Sequence, residues 1–211
     1  MKNSRLHNPY PTLNNQNNCL TGLELMGDNI RKQLKFCGDD VVIHPLCKML
    51  KASNAELDDA CHLLDYVFID AGSSLKIGKY SIITWFVLIE GGAKTIIGDR
   101  VFVGPGTKIL TSTYELNGVY AAEFLPEEFH ATKYGDIVIE DDAYIGANCT
   151  IMPGVTIQEG AVAGANCLVN KDLEPWGIYV GTPCKKIGER KKPSEELRKK
   201  LFDTINWNNH L

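Results

Sequence analysis

The chain has 211 residues, of which 44% are hydrophobic and 23% charged, with a formal net charge of −4. That balance excludes a general electrostatic field for nucleic acid or an anionic membrane surface, and no apolar run is long enough to cross a bilayer. One domain is expected at this length, and without a signal-peptide pattern the expected location is cytoplasmic.

Residues 1–18 are rich in Asn and carry Pro9 and Pro11, which reads as a loosely ordered segment or one packed over a neighbour. Thr21-Gly22-Leu23-Glu24 has the spacing of a capping box. Leu23, Met26, Ile30 and Leu34 then recur on one helical face. Residues 22–35 therefore predict a helix within an N-terminal extension, 1–36, and its role is to cover the strand edges at the start of the repeat region.

From Cys37 the pattern changes to a period of six. Hexads begin at Cys37, Ile43 and Met49, at Leu57, Leu63 and Ile69, at Ile77, Ile83 and Ile89, and at Ile97, Val103 and Ile109. The run resumes with Ile139, Ile145, Ile151, Ile157, Ala163 and Val169. Four residues after most of these stands a small one, such as Val101, Thr107, Ala143, Cys149, Ala161 or Cys167; Leu173 is the large exception. Six fits neither a helix nor a lone strand, but it fits a parallel β-helix in which three short strands make one triangular coil. The phase slips by two residues at 55–56, 75–76 and 95–96, each time after three hexads, which marks one corner of the triangle. The prediction is a mainly β solenoid of about six coils over 37–187, stacking to about 29 Å at the usual strand spacing.

Between Thr113 and Ile139 the repeat is interrupted by residues 115–138. The segment leaves from the corner that carries the slips and contains Glu115, Glu123, Glu127, Glu128, His130 and Asp136. A loop this long in a tight repeat points to function, with a solvated excursion or a subunit contact as the plainer alternative. After the last coil, Trp176 reads as an anchor for the departing chain. Residues 185–192 are basic, and Ser194-Glu195-Glu196 is N-terminal helix chemistry. Leu197, Leu201, Phe202 and Ile205 predict a short amphipathic helix over 195–206, within a C-terminal segment 188–211. Cys37, Cys47, Cys61, Cys149 and Cys167 occupy hexad positions, so they read as reduced core thiols; Cys149 and Cys167, one coil apart, are placed to touch.

Ile139-Glu-Asp-Asp-Ala-Tyr-Ile-Gly-Ala-Asn-Cys-Thr-Ile-Met-Pro-Gly-Val-Thr-Ile157 resembles the signature of the hexapeptide-repeat acyltransferases, and Gly181-Thr-Pro-Cys-Lys-Lys-Ile187 resembles their terminal segment. The likeness covers 75–190 in motif and 37–74 in period. It implies a left-handed β-helix, an exception to the usual crossover hand, a homotrimer with active sites between subunits, and acetyl-CoA as donor. The nearest branch resembles the sugar acetyltransferases. In that family, backbone amides on one edge of the late coils hold the pantetheine arm, which implies Ala147, Gly164 and Ala165 here, with Tyr144 as an aromatic wall. Pro183, Lys185 and Arg190 follow the last coil, where cations meet CoA phosphates or form a solvated tail; both readings stay open.

On the acceptor side, the galactoside and maltose enzymes place a histidine base where the long loop leaves. The matching residue here is Tyr114. Three readings are open. His130 reaches back, oriented by Glu127 or Glu128. Alternatively Glu115 or Tyr114 serves, Tyr114 as a donor to the tetrahedral intermediate. Or the acceptor is an amine, which needs positioning more than a strong base. The absent histidine favours the last: N-acetylation of a nucleotide-linked amino sugar, such as a 4-amino-4,6-dideoxyhexose, for surface glycan synthesis. Thr84, Trp85 and Glu90 match positions near the sugar, with a trimer-interface role as the alternative for Trp85. Sugar O-acetylation is the runner-up, and a non-catalytic structural β-helix the reading from another class. The γ-class carbonic anhydrases share the fold, but His44 and His62 fall in different hexad phases and His130 lies in the inserted loop, so no metal is expected.

Overall fold

The inward residue of each hexad sits within a strand two to four residues long, and the chain turns a corner before the next. The computed structural model describes residues 28–115, 120, 129 and 131–208. Three parallel sheets result. The first face stacks Phe36–Cys37, Ala55–Leu57, Ser74–Ile77, Lys94–Ile97, Ile137–Ile139 and Thr156–Ile157. The second stacks Val42–Ile43, His62–Leu63, Ile82–Ile83, Phe102–Val103, Tyr144–Ile145, Val162–Ala163 and Gly177–Val180. The third stacks Lys48–Leu50, Phe68–Asp70, Leu88–Glu90, Lys108–Leu110, Thr150–Ile151 and Leu168–Val169. Six coils are complete, and a seventh begins where Leu173 bridges to Ile157.

The interior is a set of aliphatic columns. Ile77, Ile97, Ile139 and Ile157 lie in register on successive coils of the first face, each fully buried. β-Branched side chains suit such short pleated rungs. The two-residue slips read differently in three dimensions. They adjoin the corner between third and first faces, but the extra residues lie in the first-face strands, where they add a second inward side chain per rung: Ala55, Leu75 and Thr95, with Ile137 taking the same place after the insertion. The first face is wider for it.

Both ends of the sheets are covered. Helix α1 spans Asp28–Gln33 and inserts Ile30 into the core; it stops short of the predicted residue 35 because Lys35 N–H already donates to the Ala55 carbonyl (3.0 Å), joining the first rung. The predicted helix start and its capping box at 21–24 lie outside the described residues. At the far end, Lys185–Glu189 pairs antiparallel with Gly177–Val180 and closes the edge of the second sheet. Helix α2 spans Glu195–Asn208, two residues beyond the prediction. The Ser194 hydroxyl caps it, accepting from Leu197 N–H at 3.2 Å. On its apolar face Leu197, Leu201 and Phe202 are all exposed. None of the helices among the described residues is long and apolar enough to cross a membrane.

The outward side of the second face is apolar along almost its whole length: Val42, Ile82, Phe102, Tyr144, Val162 and Ile178 lie in register, and the Phe102 and Tyr144 rings stack at 5.2 Å. His62 interrupts this ladder between Val42 and Ile82. Burial among these side chains, and secondarily the nearby His44, lowers the His62 pKa from its ordinary 6.5. The unfolded chain therefore binds the proton more readily than the folded one. This contribution to stability is present above about pH 6.5 and is lost as pH falls through and below that value. His62→Val, which completes the apolar ladder, is expected to lose less stability than the wild type on acidification, read as urea midpoints. Equal losses in both proteins would exclude His62 as the sensor.

Candidate active site

Between second and third faces, each coil turns through three residues, as in Ile145-Gly146-Ala147-Asn148-Cys149, with the first and last of the five pointing inward. In coils four to six the turn has a left-handed residue, Gly106, Asn148 or Asn166, with φ of 73, 56 and 59°. Successive turns hang on one another: Gly106 N–H donates to the Trp85 carbonyl (3.0 Å), Asn148 N–H to Pro105 (2.8 Å) and Asn166 N–H to Ala147 (2.8 Å). Trp85, Pro105, Ala147 and Ala165 thus stack on one edge. Among the described residues, the N–H groups of Ala147 and Ala165 donate to no protein acceptor. A column of small residues with free amides is what a flexible, amide-bearing chain needs to lie against a protein surface.

Along this edge, backbone approach is closest at Gly146, where a Cβ would lie 2.5 Å from the Ala165 nitrogen. Gly146→Ala is expected to destabilise by about 1–3 kcal/mol through overpacking, measured by urea denaturation; wild-type stability would show that this edge yields freely. Inside the same corner, Cys149, Cys167 and Cys184 are buried thiols, with Cys149 donating to the Gly164 carbonyl at 3.1 Å. Cys149 and Cys167 touch as predicted. Burial raises the Cys149 pKa to about 11 and those of Cys47 and Cys61 to about 12, so these thiols are packing residues rather than nucleophiles.

The remaining donor-side residues divide. Lys185 stands opposite Val180, beside Gly164, at the end of the small-residue edge; the Thr182–Pro183 bond that precedes it is cis, and the Thr182 hydroxyl donates to the Asn166 carbonyl at 2.8 Å. Arg190 lies beyond the other end of the same strand, roughly 16 Å away. Its guanidinium donates to the Asp142 carbonyl (2.6 Å) and lies over Trp176, which Arg198 flanks as well. Trp176 is the buried anchor that the sequence suggests, and Arg190 belongs to that anchor at the first corner. Tyr144 is exposed on the second face, one strand back from Ala147.

The acceptor-side residues gather at the next corner. Ser112–Tyr114 and Thr132–Tyr134 form an antiparallel hairpin, with Tyr114 opposite Thr132, so the insertion leaves and re-enters as a two-stranded ribbon. Glu115 continues it, its N–H on the Ala131 carbonyl at 2.9 Å, and is exposed. Glu90 ends the neighbouring rung, with its side chain exposed and its carbonyl accepting from Thr111. Glu127, Glu128 and His130 lie outside the described residues. Thr84 does not join this group. It is buried, with its hydroxyl on the Val103 carbonyl at 2.7 Å. Trp85 is exposed on the donor edge. Among the described residues no group of three or more His, Cys, Asp or Glu side chains is placed to hold a metal ion.

Coil and edge are those of a β-helix protein, and comparison with known proteins gives its class as a transferase. Residues 136–171 match the bacterial transferase hexapeptide (six repeats) family. A probable macrolide acetyltransferase of Lysinibacillus sphaericus is 37% identical over 143 residues, 68% of this chain and 73% of that protein. The dTDP-4-amino-4,6-dideoxy-D-glucose acyltransferase of Escherichia coli is 27% identical over 180 residues, covering 83% and 87%. Coverage is shorter for a chloramphenicol acetyltransferase of Agrobacterium fabrum, 37% identical over 113 residues: the match takes in 48% of this chain and 54% of that relative's length. Among solved structures, the N-acyltransferase AntD of Bacillus cereus, in complex with dTDP and 3-hydroxybutyryl-CoA, superposes with a TM-score of 0.76 at 23% identity, covering 83% and 94% of the two chains. The chain belongs to the hexapeptide-repeat acyltransferases, with the left-handed β-helix of that family.

Proposed function

We propose that this acyltransferase N-acetylates a nucleotide-linked amino sugar, with acetyl-CoA as donor, and works in the cytoplasm as a homotrimer. The observation that carries the reading is Tyr114. It stands at the root of the insertion hairpin, where hydroxyl-acetylating relatives place a histidine base. A hydroxyl acceptor needs its proton removed as it attacks. An uncharged amine already carries the nucleophilic lone pair, so proximity to the thioester supplies much of the rate. Tyr114 is then a hydrogen-bond donor to the oxyanion, with Glu115 nearby as a proton acceptor. The E. coli relative named for a dTDP-linked amino sugar supports the same class. So does a variant of AntD bound to dTDP-4-amino-4,6-dideoxyglucose and coenzyme A, 25% identical with a TM-score of 0.63.

The donor arm lies along Ala147, Gly164 and Ala165, with its amides on the free N–H groups of that edge and its phosphates toward Lys185. Two features support the assembly of several copies. The apolar outer side of the second face needs a cover. The donor edge and the acceptor corner are also separated within one chain by the third face; a second copy brings one protomer's edge to its partner's loop. A hydroxyl acceptor is the second reading, favoured by the identity to the named macrolide and chloramphenicol acetyltransferases, and there His130 of the insertion is the base.

Thiol release from acetyl-CoA, followed with nucleotide-linked 4-amino sugars and with free galactosides, separates the two. Turnover of amino sugars is expected, together with a His130→Ala variant that keeps its rate. Turnover of hydroxyl acceptors alone, abolished in His130→Ala, would overturn the assignment.

A further inference from the structure

The edge that carries Ala147 and Ala165 changes character toward the first coils. At the left-handed position of the turn, coils four to six use Gly106, Asn148 and Asn166, residues that tolerate this backbone. Coils two and three place Tyr66 and Phe86 there, with φ of 62 and 61°. Bulky side chains are uncommon in that region, and two others have an evident return: Trp176, also left-handed, is buried, and Arg100 pairs with Asp142. Tyr66 and Phe86 have no such return, being 55% and 63% exposed. Their rings lie parallel, 1° apart in plane, with centroids separated by 4.9 Å, one coil spacing. Trp85, 49% exposed, extends the aromatic surface.

The stack ends at Phe86 because coil four has Gly106 at the next position. The nearest atoms to the place where a side chain would sit there belong to Asn148, whose Oδ1 a Cβ on Gly106 would strike. A carboxamide is shorter than a benzyl group, so the Asn148 amide fills only the inner part of the place where a coil-four side chain would sit, one coil from Phe86, whose side chain stays exposed. Lys108 stands at the rim, its ammonium on the Gly106 carbonyl at 3.2 Å. A flat ring face, an amide beside it and a cation within reach suit a nucleoside diphosphate: the base stacks, the amide meets its hydrogen-bonding edge, and the ammonium meets the phosphates.

We infer that Phe86, backed by Tyr66 and bordered by Asn148 and Lys108, is the platform on which the acceptor's nucleobase stacks. The inference rests on the nucleotide-linked acceptor proposed above and assigns its base to particular residues. The base belongs to the acceptor rather than to coenzyme A because the free amides and Lys185 that suit the donor lie at the other end of the edge, from coil five onward.

Binding is read without turnover, by calorimetric titration of the whole protein with dTDP, UDP and coenzyme A. Phe86→Asn and Tyr66→Asn keep a residue suited to the left-handed backbone and remove the rings. Phe86→Asn is expected to weaken dTDP or UDP binding at least tenfold and to leave coenzyme A within twofold; Lys108→Gln is expected to weaken the nucleotides and flatten their salt dependence. Unchanged nucleotide binding in Phe86→Asn overturns the platform, as does a wild-type protein that binds neither nucleotide. Weakened coenzyme A binding assigns the stack to the donor's adenine instead. A smaller species on sedimentation of Phe86→Asn makes the ring stack a contact between copies. Nucleotide binding without amino-sugar turnover sinks the N-acetylation reading while the platform stands.

Discussion

Ile97→Ala is expected to lower stability toward the upper end of the range of about 2–5 kcal/mol seen when a buried aliphatic is cut to alanine. Ile97 is fully buried, with Ile77 below and Ile139 above in register. The cost of such a deletion depends on how far the surroundings collapse into the space. Here they have little freedom, because Gly78 N–H on the Ile97 carbonyl (2.8 Å) and Gly98 N–H on the Ile139 carbonyl (2.7 Å) hold the rungs at fixed spacing. A stack in which each coil touches only its neighbours also has no second core to share the loss. Ile187→Ala, at a residue 65% exposed, is the control and should fall within about 0.5 kcal/mol of wild type. Urea denaturation at one protein concentration makes the comparison, since assembly contributes to the apparent stability. A loss no larger than the control's would mean that the column relaxes.

The second large effect concerns function. Ala147→Leu combined with Ala165→Leu is expected to weaken acetyl-CoA binding and acetyl transfer by roughly 100-fold, the size of effect that a 1 Å displacement of reacting groups produces. Ala165 is exposed and Ala147 half-buried, so the larger side chains project outward and the fold is untouched. The melting temperature should stay at the wild-type value while calorimetric titration with acetyl-CoA loses its signal. A double variant that binds acetyl-CoA normally would move the donor off this edge.

The solenoid was legible because its determinant is local and repeated: one inward aliphatic every six residues, a small partner four later. Positions whose role depends on a neighbouring coil were less so. Thr84 follows Ile83 directly and looks outward by alternation, yet His44, Leu64 and Thr84 are all buried at the start of their turns because the chain has not yet swung away from the core. Arg190 reads as one of several tail cations, and only the arrival of Trp176 and the Asp142 carbonyl from other coils makes it part of an anchor. Thr132–Tyr134 has no apolar alternation and becomes a strand only through its pairing with Ser112–Tyr114. The repeated Ala-Asn-Cys of coils five and six was the visible sign of the left-handed turn. Tyr66 and Phe86 gave no such sign, since nothing in their types suits that backbone.

Across the insertion, Thr95, Ile96 and Ile97 pair with Ile137, Val138 and Ile139 in the register that every other coil keeps. The hairpin pinches the excursion shut at its base, so the solenoid above and below it is indifferent to what the excursion contains. Loop closure grows only logarithmically with length, about 0.6 kcal/mol for each doubling. The scaffold is therefore a chassis with a replaceable cartridge: the segment between Tyr114 and Thr132 is open to lengthening, shortening or exchange for that of a relative at small thermodynamic cost, so the insertion is free to diverge while the coils that carry it stay the same.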